Sequence, residues 1–157
     1  MSRKIKAIEY FMQGANCAQA VFSAFAPMVG MDEGLAMRLS SSFGGGFGRL
    51  REVCGAVSGM CMAAGALYGY DDLQDQALKA AHYQRIQELC GAFKARFGSM
   101  ICRELLDAKT ADTAPDPSPR TEAYYRQRPC ARLVGAAAEI LEEYIATHPI
   151  ANASEKA

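Results

Sequence analysis

Four of the six cysteines in this 157-residue chain stand where helices are expected to start. Cys17 follows Gly14-Ala15-Asn16, in which Asn16 has the side chain of an N-cap. Cys54 follows a glycine-rich run, Ser41-Ser42-Phe43-Gly44-Gly45-Gly46-Phe47-Gly48, and opens a long apolar stretch. Cys102 comes three residues after Ser99, and Cys130 directly follows Pro129, a residue that favours the first helical position. A helix N-terminus carries partial positive charge and unpaired N–H donors, so it stabilises a thiolate and lowers the pKa of a cysteine placed there. Four such thiolates brought together make a soft, anionic site suited to a metal or a cluster, or else two redox-active dithiols.

Cys61 and Cys90 fall inside helical runs among apolar neighbours, where cysteine acts as a small hydrophobe, and they are assigned to core packing. His82, in the middle of a helix, reads as a solvated or hydrogen-bonded histidine rather than a ligand. Tyr124-Tyr125 reads as cover for the core. No Ser-His-Asp order and no carboxylate pair stands out. The chain lacks Cys-x-x-Cys-His, so no c-type haem is expected.

Composition narrows the class. Half the residues are hydrophobic and 22% are charged, the range of an ordinary globular protein. Lys+Arg and Asp+Glu number 17 each, which gives no pull toward nucleic acid or an anionic membrane surface. The segment Met1–Gly14 alternates charges with Ile5, Ile8, Phe11 and Met12; this is amphipathic-helix spacing, not a secretory signal. Cysteines without a signal point to a reducing, cytoplasmic setting, where metal-bound or catalytic thiols are favoured over structural disulfides. Val53–Tyr70 runs 18 residues without a charge, but its glycines and alanines make it only weakly hydrophobic. It reads as a central helix buried on all sides, and no membrane insertion is expected.

The elements that must position the cysteines are helical nearly throughout. Helices are expected over Arg3–Met12, Cys17–Met28, from an Asp32 cap to about Ser40, over Glu52–Tyr68, from an Asp71 or Asp72 cap to about Arg96, from Ser99 to about Ala108, and from Pro129 onward. The last helix carries Leu133, Val134, Ala137, Leu141, Tyr144 and Ile145 as its apolar stripe. Residues 109–119, rich in proline, aspartate and threonine, read as a surface loop. The expected architecture is all-α: a single-domain bundle of about six to seven helices over residues 1–147, with a flexible tail over 148–157. Gly55 and Gly59 share a helix face and suit close helix packing, a cofactor bed, or both. Gly44, Gly45 and Gly46 permit unusual backbone angles and are expected to turn N–H groups toward an anionic ligand. The run is not a nucleotide motif, since no Gly-Lys-Ser/Thr follows it.

Five segments in order, Asn16-Cys17-Ala18-Gln19-Ala20-Val21, Phe43-Gly44-Gly45-Gly46-Phe47-Gly48-Arg49, Cys54-Gly55-Ala56-Val57-Ser58-Gly59, Cys102-Arg103-Glu104-Leu105 and Arg128-Pro129-Cys130, resemble the C-GCAxxG-C-C family. These are small proteins described as redox-active and defined by four cysteines and a Cys-Gly-Ala-x-x-Gly motif. The resemblance runs from about Gly14 to Tyr144. It places the family's four cysteines on Cys17, Cys54, Cys102 and Cys130, and leaves Cys61 and Cys90 outside the pattern. Arg51 stands where a small residue, often glycine, is expected. A similar domain accompanies the haem-binding part of split-Soret-type cytochromes, which implies an iron–sulfur site.

The expected function is therefore that of a redox-active protein holding an iron–sulfur cluster, two-iron by preference, on Cys17, Cys54, Cys102 and Cys130. Gly44, Gly45, Gly46, Arg49, Gly55 and Gly59 are expected around the cluster. Arg49, Arg51, Arg103, Arg128 and Arg132 are candidates to offset its charge or to form a docking rim. Such a protein transfers electrons or senses redox state, works with a redox partner protein, and self-associates as a homodimer. Two alternatives stand beside this. One is metal-free thiol–disulfide chemistry, against which no Cys-x-x-Cys exists. The other is structural zinc in an interaction module, against which the cysteines lie 37, 48 and 28 residues apart instead of in close pairs.

Overall fold

A computed structural model of the chain describes residues 1–151. Among them are eight helices and no strand ladder: α1 (Arg3–Met12), α2 (Cys17–Phe25), α3 (Glu33–Ser40), α4 (Gly55–Tyr68), α5 (Gln76–Phe97), α6 (Cys102–Leu105), α7 (Glu122–Gln127) and α8 (Cys130–Thr147). The all-α reading holds. One isolated antiparallel bridge, Val53 to Ile101, ties the chain before Cys54 to the chain before Cys102. No helix among these residues is long and apolar enough to cross a membrane.

Four helices make the core. α1 lies against α2 and α8, α2 lies against α4, and α4 also meets α8. The long α5 crosses over α4 and α8, and α3 closes the free side of α2. Phe11, Val21, Phe25, Val57, Met60, Leu89, Phe93, Val134 and Leu141 are almost wholly enclosed. The stripe expected on α8 is buried through Leu133, Val134, Ala137 and Leu141. On α4 the burial is three-sided, because Cys61, Met62, Gly65 and Ala66 form an outer strip.

The helix ends differ from expectation for local reasons. α2 stops at Phe25 instead of Met28, because Pro27 has no N–H to continue the ladder. The chain tightens there into a 3-10 turn, Ala26–Val29, and leaves through Gly30 at φ 65°. α5 is capped by Asp75, whose carboxylate accepts from the Leu78 N–H at 3.0 Å. Asp72 is occupied by a turn and accepts from the Gln74 N–H. The helix expected from Ser99 contracts to the four residues of α6, since the bridge draws Ile101 into extended backbone. α7 has a Thr121 cap accepting from the Tyr124 N–H at 3.2 Å. Of the expected tail, His148 stacks on Tyr144 at 3.8 Å and Ile150 packs against the core. Residues 152–157 of that tail lie outside the described residues.

Candidate functional site

Each of the four cysteines stands at a helix start. Cys17 is the first residue of α2, after Asn16, which exchanges hydrogen bonds with Gln19 in a full capping box. Cys54 is the N-cap of α4, Cys102 is the first residue of α6, and Cys130 is the first residue of α8. Two backbone hydrogen bonds fix Cys54 and Cys102 relative to each other: the Cys54 N–H donates to the Met100 carbonyl at 2.8 Å, and the Cys102 N–H donates to that of Glu52 at 2.6 Å. All four cysteines line one cavity of about 260 Å³. Cys54, Cys102 and Cys130 are buried, and Cys17 is half-buried.

The glycine run forms one wall by an uncommon backbone path. From Gly45 to Arg51 six residues take positive φ: Gly45 (66°), Gly46 (70°), Phe47 (66°), Gly48 (57°), Arg49 (70°) and Arg51 (62°). Left-handed backbone costs a non-glycine residue roughly 1–2 kcal/mol, so Phe47, Arg49 and Arg51 are strained. Inside the turn the Arg51 and Glu52 N–H groups donate to the carbonyls of Gly45 and Gly46 at 3.1 and 3.0 Å. The Gly48, Arg49 and Leu50 N–H groups are likewise spent on carbonyls of the same turn. These five donors are therefore not free for a ligand. The turn also brings Arg49 and Arg51 to the cavity.

Arg51 is only 3% exposed. Its Nε donates to the Asp112 carbonyl at 2.9 Å, its Nη1 lies 3.8 Å from Cys102 Sγ, and its Nη2 is buried without a hydrogen-bond partner. Arg49 reaches the Ala114 carbonyl at 2.6 Å and the Asp112 carboxylate at 3.1 Å. Arg49 and Arg128 both donate to Ser118 Oγ at 3.3 Å. The loop expected to run over open surface is thus latched over the cavity by three arginines, and Pro115, Pro117 and Ser118 form part of its wall. Arg120 completes the positive lining. It donates to the Phe11 and Ala15 carbonyls and lies 4.6 and 4.8 Å from the Phe11 and Tyr124 ring centres.

This environment splits the thiols. Cys17 and Cys130 are neighbours, and Cys17 is held well above the ordinary cysteine range by Cys130 first and burial second. Cys130 is drawn down to about 7, by the Cys17 thiol first, then by Arg128, Arg51 and Arg120 acting against burial. Burial pushes Cys54 up to about 12 despite the Ala56 and Val57 N–H groups facing it. Burial also raises Cys102, against the pull of Arg51. Four helix starts therefore do not make four thiolates. A helix end is worth roughly 0.3–1 kcal/mol, and it is outweighed at three of the four positions, by burial at Cys54 and Cys102 and by the Cys130 thiol together with burial at Cys17.

The other expected residues divide. Gly44, Gly45 and Gly55 line the cavity with Arg49, while Gly46 and Gly59 have packing roles. A Cβ on Gly46 would come 2.8 Å from Cys102 Cβ, and one on Gly59 would come 2.7 Å from the Ala18 carbonyl oxygen. A Cβ on Gly44 would collide with the Asn16 side chain. Arg128 lines the cavity; Arg103 instead pairs with Glu52 at 3.0 Å, and Arg132 lies over Phe97. His82 sits between Arg85 and the edge of Tyr70. Asp112 and Ser118 carry no sequence signal beyond the composition of the 109–119 loop, and Arg120, directly after it, carries none. Among the described residues no group of three His, Cys, Asp or Glu side chains is gathered tightly enough to grip a single metal ion.

The family model described as "Putative redox-active protein (C_GCAxxG_C_C)" matches residues 15–144. No curated protein and no solved structure matches the chain.

Proposed function

The chain belongs to the C_GCAxxG_C_C family of redox-active proteins, and on that premise we propose that the cavity holds an iron–sulfur cluster, two-iron by preference, ligated by Cys17, Cys54, Cys102 and Cys130. The observation that carries this reading is the buried Arg51, which lines the cavity of the four cysteines, lies against Cys102 through Nη1 and leaves Nη2 unpartnered. A buried N–H without a partner is costly, roughly 1–3 kcal/mol. An anionic group seated among the cysteines would satisfy it. Such a cluster, when bound, supplies a one-electron couple.

The remaining work falls to the chain. The four thiols would lose their protons on ligation, which would reverse the raised pKa values of Cys17, Cys54 and Cys102. Arg49, Arg51, Arg120 and Arg128 offset the charge of the thiolates. The latched segment with Pro115 and Pro117 keeps water from the sulfurs. Each of the four sulfurs is held at the start of a packed helix, so little rearrangement would accompany a change of charge.

A second reading has its own observation. Cys130, lowered to about 7 beside the raised Cys17 thiol, matches a nucleophile and its resolving partner. In metal-free protein that pair would exchange disulfides.

Anaerobic reconstitution with iron and sulfide separates the two. The cluster reading expects retention of about two irons and two sulfides per chain with visible absorption, lost in Cys54→Ser and Cys102→Ser. Failure to retain iron, together with a Cys17–Cys130 disulfide that forms and is reduced reversibly, would hand the function to the dithiol.

A further inference from the structure

Cys61 and Cys90 lie outside the four-cysteine pattern, and the sequence assigns each to the core. The structure pairs them. Cys61 is on the outer strip of α4, Cys90 faces it from α5, and their sulfurs are 3.7 Å apart. Both residues are half-buried, packed against the core but not enclosed in it. We propose that Cys61 and Cys90 are a second, metal-free redox site, a dithiol that small-molecule disulfides oxidise to a clip joining α5 to α4.

Chemistry and position support the pairing. Cys90 is shifted below the ordinary cysteine range, first by the Cys61 thiol and also by Lys94 one turn further along α5. Cys61 is shifted upward, first by Cys90 and then by burial. One partner is thus the attacking thiolate and the other the resolving thiol. The Cys90 thiolate attacks one sulfur of a disulfide RSSR, releasing RS⁻ and leaving Cys90 joined to SR. Cys61 then gives up its proton and attacks the Cys90 sulfur, expelling the second RS⁻. The net change is one dithiol and one RSSR to one protein disulfide and two RSH, with two electrons passing to the small molecule.

The clip has a structural consequence. Cys54 is the N-cap of α4, and the chain leaving α5 runs through Gly98 and Met100 to Cys102 at the start of α6. Tying Cys61 to Cys90 therefore joins the helix that Cys54 caps to the helix that leads into Cys102. α5 has much to gain, because Leu89 and Phe93 are its only fully buried side chains.

The test uses the full chain, reduced and anaerobic, treated with oxidised glutathione, then acid-quenched, alkylated and digested for mass mapping. Cys54 and Cys61 share the tryptic peptide 52–79, so fragment ions must assign the linked sulfur. We expect a Cys61–Cys90 cross-link that dithiothreitol reverses. Closing a loop of 29 residues should raise the melting temperature by about 10 °C over the reduced form. Cys90→Ser should abolish both changes and leave Cys61 free or glutathionylated. Separate glutathionylation of Cys61 and Cys90 without a cross-link in the unsubstituted chain would overturn the proposal. So would a cross-link that leaves the melting temperature unchanged or lowers it.

Discussion

Replacing Arg51 by glycine and, separately, by alanine divides two effects that this residue combines. Its backbone sits at φ 62°, and its guanidinium lies buried against Cys102. Both substitutions remove the charge, but only glycine also relieves the left-handed strain. The strain is worth roughly 1–2 kcal/mol, so the glycine variant should be the more stable of the two by that amount. For a chain of this length the difference in melting temperature is about 4 °C. The charge acts on the redox couple instead. At the 3.8 Å between Nη1 and Cys102 Sγ, a unit charge is worth about 4 kcal/mol at an effective dielectric of about 20. Delocalisation over the guanidinium and the cluster reduces this to about half, equivalent to about 100 mV for one electron. Loss of a positive charge disfavours the more negative reduced state, so both variants should show a potential lower by about that much. Thermal melts of the metal-free proteins and redox titration of the reconstituted ones measure the two effects independently. Equal stability of the glycine and alanine variants would refute the strain. A potential unmoved by either substitution would refute the placement of Arg51 against the cluster.

Gly59→Ala should destabilise the protein by about 1–2 kcal/mol in thermal melts, because overpacking against the Ala18 carbonyl at 2.7 Å outweighs the better helix propensity of alanine; an unchanged melt would contradict the close approach of α4 to α2. In reduced, metal-free protein, alkylation of Cys130 by iodoacetamide should rise through a midpoint at about pH 7, while Cys54 stays unreactive up to about pH 10; a shared midpoint in mass-mapped rates would contradict the split. The sign for stability follows: the lowered Cys130 contributes fully above the ordinary cysteine range and loses that contribution as pH falls toward 7, whereas the raised Cys54 contributes below that range and loses it as pH rises toward 12. Cys54→Ser should abolish retention of iron, whereas Cys61→Ala should cost only about 1 kcal/mol and retain it; equal loss of iron in both, with folding intact, would overturn the separation of the cysteines into two sites.

Most of the helices, though not α7, and the four cysteines were legible because their signals are local. Asn16, Asp32, and Pro129 before Cys130 announce helix starts within a few residues, and the apolar stripe of α8 repeats at helical spacing. What the sequence concealed depends on distant partners. Asp112 and Ser118 have no motif of their own, and they join the site only because Arg49 and Arg128 reach across to them. The pairing of Cys61 with Cys90 depends on how α5 crosses α4, which no periodicity encodes. The glycine run was recognisable as unusual backbone. Its extension through Arg49 and Arg51 was not, since arginine carries no signal for positive φ. That same φ explains why a glycine suits position 51. The expectation of four low-pKa thiols failed because helix-end charge is readable from sequence and burial at a cavity wall is not.

The most direct measurement on the central claim is electron paramagnetic resonance of the full chain, purified and reconstituted anaerobically with iron and sulfide and then reduced with dithionite. A two-iron cluster on Cys17, Cys54, Cys102 and Cys130 predicts an oxidised form without signal and a reduced form with about one spin per chain. That spin should disappear in Cys102→Ser and persist in Cys90→Ser. A chain that stays silent in both states, holds no iron, and cycles a Cys17–Cys130 disulfide would contradict the account.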